Sequence, residues 1–325
     1  MRAAYIDECG PAGSIRCGEL PPPRPGAYDV VVDVEVTTAN HVDTFVRAGA
    51  VDPPVEFPFV VGRDLVGRVA TVGDAVAGFA VGERVWCNSL GHGGRQGAAA
   101  ERVCVPAERL YRLPDGVGPA TAVTLLHPAA TAYLGLVTHG GLRPGATVVV
   151  IGAAGNVGAA AVVVAAAAGA RVVAVAHPRD EAYCRELGAD TVVDRTAEDL
   201  TDRLSRACPG GVDLYLDAAG VNDLSCAVGL LAWRGRIVLL AGLHTTPTLP
   251  AGELYVRDGS VVGFAITRAT VAELAAAAEH VNGLLADGRL RSREVLTLPL
   301  SATAEVHRML EAGELHGRRV VLRVT

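Results

Sequence analysis

The sequence predicts an α/β protein with two folded parts, a partly open β-barrel and a doubly wound parallel sheet. Three observations carry that expectation. Residues 147–170, TVVVIGAAGNVGAAAVVVAAAAGA, read as a buried strand, a glycine turn and a small-residue helix. From there to about residue 266, short apolar strands alternate with helical stretches, the pattern that builds a parallel sheet with right-handed crossovers. Before it, short strands separated by glycines crowd the first hundred residues, which suits a rolled-up barrel rather than a layered unit.

The first part opens with a strand at residues 1–6. A proline run at 21–25 leads into an alternating strand at 29–36. Residues 37–49, TTANHVDTFVRAG, read as a loop entering a short helix, and 60–72, VVGRDLVGRVATV, as strand. Further short strands are expected at 101–106 and 109–113, and Pro114-Asp115-Gly116 reads as an exit turn. Residues 120–137 read as one apolar helical region.

In the second part, strands are expected at 148–151, 171–176, 191–193, 212–217 and 236–241, with a sixth at 260–266. Helices fall between them near 157–168, 179–187, 197–208 and 222–231. A helix at 270–287, a strand at 295–298, a helix at 302–311 and a strand at 319–324 follow. The expected division is 1–117, 118–266 and 267–325, the last segment returning to the first part.

The 325 residues are half hydrophobic, enough for a large core, and the net charge of −6 gives no electrostatic reason to expect nucleic acid or an anionic membrane as partner. The apolar 147–170 run is interrupted by its glycine turn and Asn156, which argues against a membrane span, and the cytoplasm is the expected location. Seven cysteines, at 9, 17, 87, 104, 184, 208 and 226, are odd in number, and no two are spaced as CxxC. Neither a zinc ribbon nor a secreted disulfide framework follows from that pattern.

The glycine turn points to a dinucleotide. Gly152 lets the chain leave the strand sharply, Gly155 lets backbone N–H groups approach a pyrophosphate, and Gly158 lets the helix lie close to the sheet. Ala153, Ala154, Asn156 and Val157 complete the turn and the helix N-terminus, where unpaired N–H groups and the helix dipole favour negative charge. Sites for NAD commonly carry an acid at the end of the second strand. Here that strand ends Val175-Ala176-His177-Pro178-Arg179. Arg179, assisted by His177, would instead suit a 2′-phosphate, so NADPH is the expected cofactor. The competing reading of Arg179 is a solvated residue that opens a helix.

Together these motifs resemble the medium-chain dehydrogenase/reductase superfamily, and within it the zinc-free, zeta-crystallin-like quinone oxidoreductases. The resemblance rests on Asn40-His41-Val42-Asp43, Gly62-Arg63-Asp64-Leu65-Val66-Gly67, Val81-Gly82-Glu83-Arg84-Val85, Thr131-Ala132-Tyr133, the glycine turn, Glu186-Leu187-Gly188-Ala189-Asp190 and Gly235-Arg236-Ile237-Val238. It implies a GroES-like catalytic domain made from both chain ends, a Rossmann domain in the middle and a cofactor in the cleft between them. By the same resemblance Thr131, Gly242, Leu243, Phe264, Ala265 and Ile266 neighbour the cofactor, and Arg319 reaches its phosphates. Asn40 would be a hydrogen-bond donor in the catalytic cleft and Asp43 its organiser, with helix capping as the alternative role of Asp43. His41, at the family's usual proline position, is either a proton donor or an exposed loop residue.

Where the zinc enzymes of the superfamily carry Cys and Gly-His-Glu, this chain carries Asn40 and Gly62-Arg63-Asp64, and arginine cannot ligate zinc. No metal site is therefore expected, and His92, His127 and His139 are read as loop, packing or polar-contact residues. Two further departures are Phe45, where many relatives have Tyr, and Ala50-Val51-Asp52, where enoyl thioester reductases carry a proton-donating Tyr.

Without a metal, hydride delivery relies on positioning and on hydrogen bonds to a developing oxyanion, which favours a quinone or an α,β-unsaturated carbonyl as acceptor. The expected activity is a zinc-independent NADPH reductase of such small molecules. The alternatives are a tailoring enzyme acting on a cyclic enone and a non-catalytic NADPH-binding sensor. The apolar strand at 260–266 would lie at a sheet edge, and a homodimer by sheet extension is expected.

Overall fold

The computed structural model describes residues 1–51, 56–315 and 317–324. It divides into two compact units, residues 1–127 with 274–325, and residues 128–273. The sequence reading changes instead at 117/118 and 266/267.

The strands of the first unit begin with β1 (Arg2–Ile6), β2 (Arg16–Glu19), β3 (Asp29–Thr37), β4 (Phe59–Val60), β5 (Leu65–Val72), β6 (Arg84–Cys87), β7 (Arg102–Pro106) and β8 (Tyr111–Arg112). In the second unit follow β9 (Thr147–Ile151), β10 (Arg171–Ala176), β11 (Thr191–Asp194), β12 (Val212–Asp217), β13 (Leu231–Leu239) and β14 (Ser260–Gly263). The chain then returns to the first unit with β15 (Val295–Pro299) and β16 (Arg319–Arg323).

The first unit holds a three-stranded sheet, β2-β1-β4, and a larger one ordered β15-β16-β3-β5-β6-β8, in which β7 also pairs with β3. Its centre is β3, DVVVDVEVT, whose Val30, Val32 and Val34 are buried in the core with Leu65, Val85 and Val103. Two register shifts against β5, at Val31/Val32 and Val34/Val36, let β3 serve several partners along its length. This is the partly open barrel that the glycine-spaced strands predict.

The second unit is a six-stranded parallel sheet ordered β11-β10-β9-β12-β13-β14. In the middle sits β9, and its Val148, Val149 and Val150 are fully buried, as expected of a strand covered on both faces. The strand order reverses between β9 and β12, the place where doubly wound sheets open a crevice at their C-terminal ends.

The helices are α1 (His41–Arg47), α2 (Pro119–Val123), α3 (Leu126–Tyr133), α4 (Asn156–Ala167), α5 (Glu181–Glu186), α6 (Leu200–Ala207), α7 (Leu224–Leu230), α8 (Ala251–Tyr255), α9 (Val271–Ala286) and α10 (Thr303–Glu311). The single helix expected over 120–137 is instead α2, α3 and a π-helical stretch, Leu134–His139. Pro128 explains the break: it has no N–H to donate to the carbonyl four residues earlier, and the Thr124 hydroxyl bonds back to Thr121 O at 2.8 Å. The expected strand at 109–113 shortens to Tyr111–Arg112 after a 3-10 turn, Ala107–Arg109. The strand expected at 260–266 stops at Gly263, which leaves Phe264 and Ala265 in a loop and Ile266 at the start of a 3-10 turn. Among the described residues, no helix is long and apolar enough to cross a membrane, and all seven cysteines are free thiols.

Candidate active site

In the second unit the glycine turn joins β9 to α4. Gly152 has φ +73°, and a Cβ there would meet Ala219 at the end of β12 at 3.0 Å, so the two strand ends that flank the crevice approach each other through the missing side chain. At Gly158 a Cβ would lie 2.1 Å from Gly152 O, which puts the helix close against the turn that leaves β9.

The amides of this stretch divide their work. Gly152 N and Ala153 N both donate to Val175 O at 3.1 Å, and Gly155 N donates to Gly152 O at 2.9 Å. These three hold the turn and are not presented to a ligand. Gly155 is the N-cap of α4, and the first-turn amides of Val157 and Gly158 have no intrahelical acceptor. Beside them stand Ala154, half-buried, and Asn156.

β10 ends at Ala176, with no acid there. His177 Nδ1 accepts from Arg179 N at 3.3 Å. The Arg179 side chain is 66% exposed, its Nε 3.9 Å from Asp180 Oδ2. The sequence reading does not weigh Asp194, which pairs in register with Ala176 from the neighbouring strand. Its carboxylate is occupied by Thr196, whose N–H and hydroxyl donate to Oδ1 at 2.8 and 2.7 Å and hold it below its ordinary range.

Asp217, at the end of β12, is the residue sequence reasoning missed in this unit. It is buried, and its carboxylate accepts from Ala219 N and Gly220 N at 2.8 Å and from Asn222 N at 2.5 Å. Asn222, at φ +54°, donates through Nδ2 to Ala241 O at 3.1 Å and Thr245 Oγ1 at 2.7 Å. Two strand-end loops are thereby tied together, and Gly242 belongs to this knot, since a Cβ on it would meet Asn222 Nδ2 at 2.5 Å. The available signal was an acid at a strand's C-terminal end followed by small residues, Asp217-Ala218-Ala219-Gly220.

The other residues expected near the cofactor are spread around the unit. Leu243 is exposed, Phe264 stacks on His139 with ring centroids 4.6 Å apart, Ala265 is exposed, and Thr131 and Ile266 are buried. Arg319 opens β16 in the first unit, is 4% exposed, and its backbone N–H donates to Glu294 O at 2.8 Å.

The first unit gathers a buried polar cluster. Asn40 is the N-cap of α1, and its N–H donates to Asp43 Oδ2 at 2.7 Å, so the capping role of Asp43 is realised. Asn40 Nδ2 donates to Asp64 Oδ2 at 2.7 Å, which commits one of the amide protons that the sequence reading reserved for an acceptor. Asp43, Arg63 and Asp64 are each at most 3% exposed, and His127 is 7% exposed. His41 stands exposed at the first turn, although enough chain crowds its ring to lower its pKa. Phe45 is half-buried on the same helix, Ala50 and Val51 follow it, and Asp52 lies outside the described residues.

Burial raises Asp43 to about 6, with the charge of Arg63 opposing. Burial, and then the charge of Asp43, raise Asp64 well above the carboxylate range. Burial, and then the neighbouring Arg63, hold His127 down at about 3, neutral at any physiological pH.

These shifts give a pH prediction. Asp43 binds its proton more tightly folded than unfolded, where a carboxyl titrates near 4. Its contribution to stability is therefore greatest in acid and is lost as pH rises through the window from about 4 to about 6. In Asp43→Asn that part of the profile should flatten, so that the variant gains on the parent across the window in urea midpoints. Parallel profiles would contradict the assignment.

A zinc site does not fit these residues. A catalytic zinc needs three thiolate, imidazole or carboxylate ligands around an open position. Neither Asn40 nor Arg63 is such a ligand, and among the described residues no group of three or more His, Cys, Asp or Glu is arranged to hold a metal ion.

Comparison with known proteins places the chain. The family described as alcohol dehydrogenase GroES-like domain matches residues 26–115, and that described as zinc-binding dehydrogenase matches residues 156–281. A Bos taurus protein named prostaglandin reductase-3 is 32% identical over 84% of this chain and 73% of its own length. The chain belongs to the medium-chain dehydrogenase/reductase superfamily. A Nematostella vectensis protein named quinone oxidoreductase-like protein 2 homolog is 30% identical over 73% of this chain, and the match spans 65% of that relative's length.

Among solved structures, one described as an NAD-dependent alcohol dehydrogenase is 30% identical with a TM-score of 0.89, covering 100% of both chains. A mycobacterial structure described as complexed with NADPH is 26% identical with a TM-score of 0.85, again over 100% of both. The GroES-like and Rossmann architecture expected of this superfamily is the one observed.

Proposed function

We propose that the protein is a zinc-independent, NADPH-dependent reductase of quinones or α,β-unsaturated carbonyl compounds. The observation that carries this reading is the first unit's buried cluster, in which Asn40 and Arg63, neither of them a zinc ligand, stand beside Asp43 and Asp64, while among the described residues no three His, Cys, Asp or Glu are grouped to hold a metal ion. The name of the quinone oxidoreductase-like relative agrees with it.

The second unit is suited to hold the cofactor. The first-turn amides of α4 would receive the pyrophosphate, and Gly158 leaves no Cβ in the turn. Exposed Arg179, beside His177, would pair with a 2′-phosphate. Bound there, NADPH supplies the hydride. Asn40, fixed by Asp43 and Asp64, would hold the acceptor's orientation, and Asp43 would act through Asn40 as a positioning residue.

The test is NADPH oxidation by metal-stripped protein against a panel of quinones and enones, beside the same assay with NADH. Turnover that survives chelation and prefers NADPH is expected. Activity that returns only with zinc, or equal use of both cofactors, would overturn the corresponding part. The solved structure described as NAD-dependent makes the cofactor comparison informative.

The same unit supports a homodimer. β14 is the outer strand of its sheet, and Arg234 N donates to Arg257 O at 2.7 Å, which sets exposed Trp233 near exposed Tyr255 and Val256. An open edge beside exposed apolar side chains invites a second copy. Light scattering should give a dimer mass for the parent and a monomer for Val262→Lys, a charge on the edge strand. A monomeric parent, or a dimeric variant, would remove this interface.

A further inference from the structure

Arg63 is 1% exposed, and its Nε and Nη1 are sealed from water with no hydrogen-bond partner among the described residues. Among the described residues it has no carboxylate oxygen within ion-pair distance, although Asp43 and Asp64 lie near enough for their charges to act on it. Nη2 donates to no described residue either. A guanidinium stays protonated in a protein and presents five N–H donors in a fixed fork. Leaving one desolvated and unbonded is costly, so a buried guanidinium in this state calls for a functional explanation.

The surroundings fit an oxygen as that partner. The Asn40 amide is tied to Asp64, His127 is neutral, and burial and then the charge of Asp43 raise Asp64. No described side chain within the cluster bonds the fork, so its donors are left to an incoming oxygen.

We propose that Arg63 is an oxyanion-binding residue, whose guanidinium receives the carbonyl or quinone oxygen of the acceptor and stabilises the negative charge that this oxygen gains during reduction. The proposal rests on the reductase reading and deepens it. In the balanced step, a hydride with its electron pair leaves the reduced nicotinamide, which ends oxidised, and bonds to the acceptor. A π electron pair of the conjugated carbonyl moves onto oxygen, giving an enolate or hydroquinone monoanion. That anion lies against the guanidinium until a solvent proton neutralises it.

No hydrogen bond to the guanidinium has to break for the oxygen to enter. In a water-excluded site a preorganised cation acts most strongly on charge that appears only in the transition state. Asp43 and Asp64 keep the resting cluster near neutrality, so Arg63 is held in place without being neutralised by contact.

Two arms test this. The first compares the parent with Arg63→Met and Arg63→Lys in steady-state reduction of an acceptor that the parent turns over, after urea midpoints and NADPH titration show each variant folded and able to bind cofactor. Replacing a buried charge by an apolar side chain of similar volume is often tolerated in folding. Arg63→Met should lower kcat by about 100-fold, and Arg63→Lys should retain part of that activity because it keeps charge without the fork. Parent-like kcat and KM in Arg63→Met would overturn the proposal.

The second arm needs no turnover. 4-Nitrophenol is titrated spectroscopically with the parent and Arg63→Met, with and without NADP+. The parent should select the phenolate and lower the bound phenol's pKa by at least about one unit, a tenfold preference, and the variant should lose that selection. If the parent reduces no acceptor, the reductase reading fails and this arm alone decides. Phenolate selection by the parent that Arg63→Met abolishes sustains the oxyanion site, and the absence of selection, or its persistence in the variant, overturns it.

Discussion

Gly158→Val is expected to cost about 3 kcal/mol or more of stability, the upper range for forcing atoms into a packed interior, and to abolish NADPH binding. The first added carbon would already lie 2.1 Å from Gly152 O and 2.7 Å from Gly152 C, backbone atoms that cannot rotate away. Relief would require α4 to move off the sheet, and with it the amides of its first turn. Buried Ala159, Ala160 and Val162 on that helix would lose their packing as well. Gly155→Ala is the control, since its Cβ would meet nothing closer than Gly152 O at 3.2 Å. Urea denaturation with a cofactor fluorescence titration separates the two outcomes. A Gly158→Val protein with a parent-like midpoint would show that the turn is looser than its geometry states.

Asp217→Ala should be the most damaging single change at the C-terminal edge of the sheet. It leaves the amides of Ala219, Gly220 and Asn222 without their shared acceptor, and hydrogen bonds to a charged group contribute about 1.5–3 kcal/mol each. Water can replace part of this at the exposed Ala219 and half-buried Gly220, and least at the buried Asn222. A loss of about 3 kcal/mol is the expected result, together with weaker NADPH binding, because Gly242 and Asn222 are placed through the same carboxylate. Asp217→Asn, which keeps an acceptor but adds donors, should fall between. If Asp217→Ala lowers neither the thermal midpoint nor the cofactor affinity, the loop is held by something else.

The parallel sheet was readable because its strands are continuous apolar runs closed by punctuation. β10 and β12 have the bounds the sequence indicates, 171–176 and 212–217, since Arg171, Asp213 and Asp217 mark where burial ends or a turn begins. β13 was not readable in full. It starts at Leu231, five residues before the expected 236, because Trp233, Arg234 and Gly235 look like a turn. Arg234 does take a positive φ, +62°, and the register shifts there while pairing continues on both sides. β2, a short and mostly exposed RCGE, carries no periodic signal at all and forms because β1 offers it an edge.

For the site, local chemistry was legible and long-range burial was not. The glycines and the absence of an acid at Ala176 are local patterns. The division of amides between holding the turn and facing a ligand depends on Val175 O, a tertiary partner. Arg63 could be recognised in sequence only as a residue unable to bind metal. That it is an enclosed charge follows from the folding of β4, β5 and α1 around it, which no single stretch encodes.

The larger sheet of the first unit has an ordering consequence for synthesis. β16 pairs with both β15 and β3, and Thr38 Oγ1 donates to Val320 O at 2.6 Å, so residues near 320 complete what residues near 30 begin. On the ribosome, residues 1–127 therefore emerge with β3 paired to β5 and β7 but with its Val36–Thr37 end lacking β16, and stay so while the whole second unit is being made. The second unit is contiguous in sequence and can close behind them without waiting. Nascent chains arrested before residue 319 should consequently show a protease-resistant second unit and a first one still cleavable, and the open C-terminal end of β3 is the surface a chaperone would have to shield.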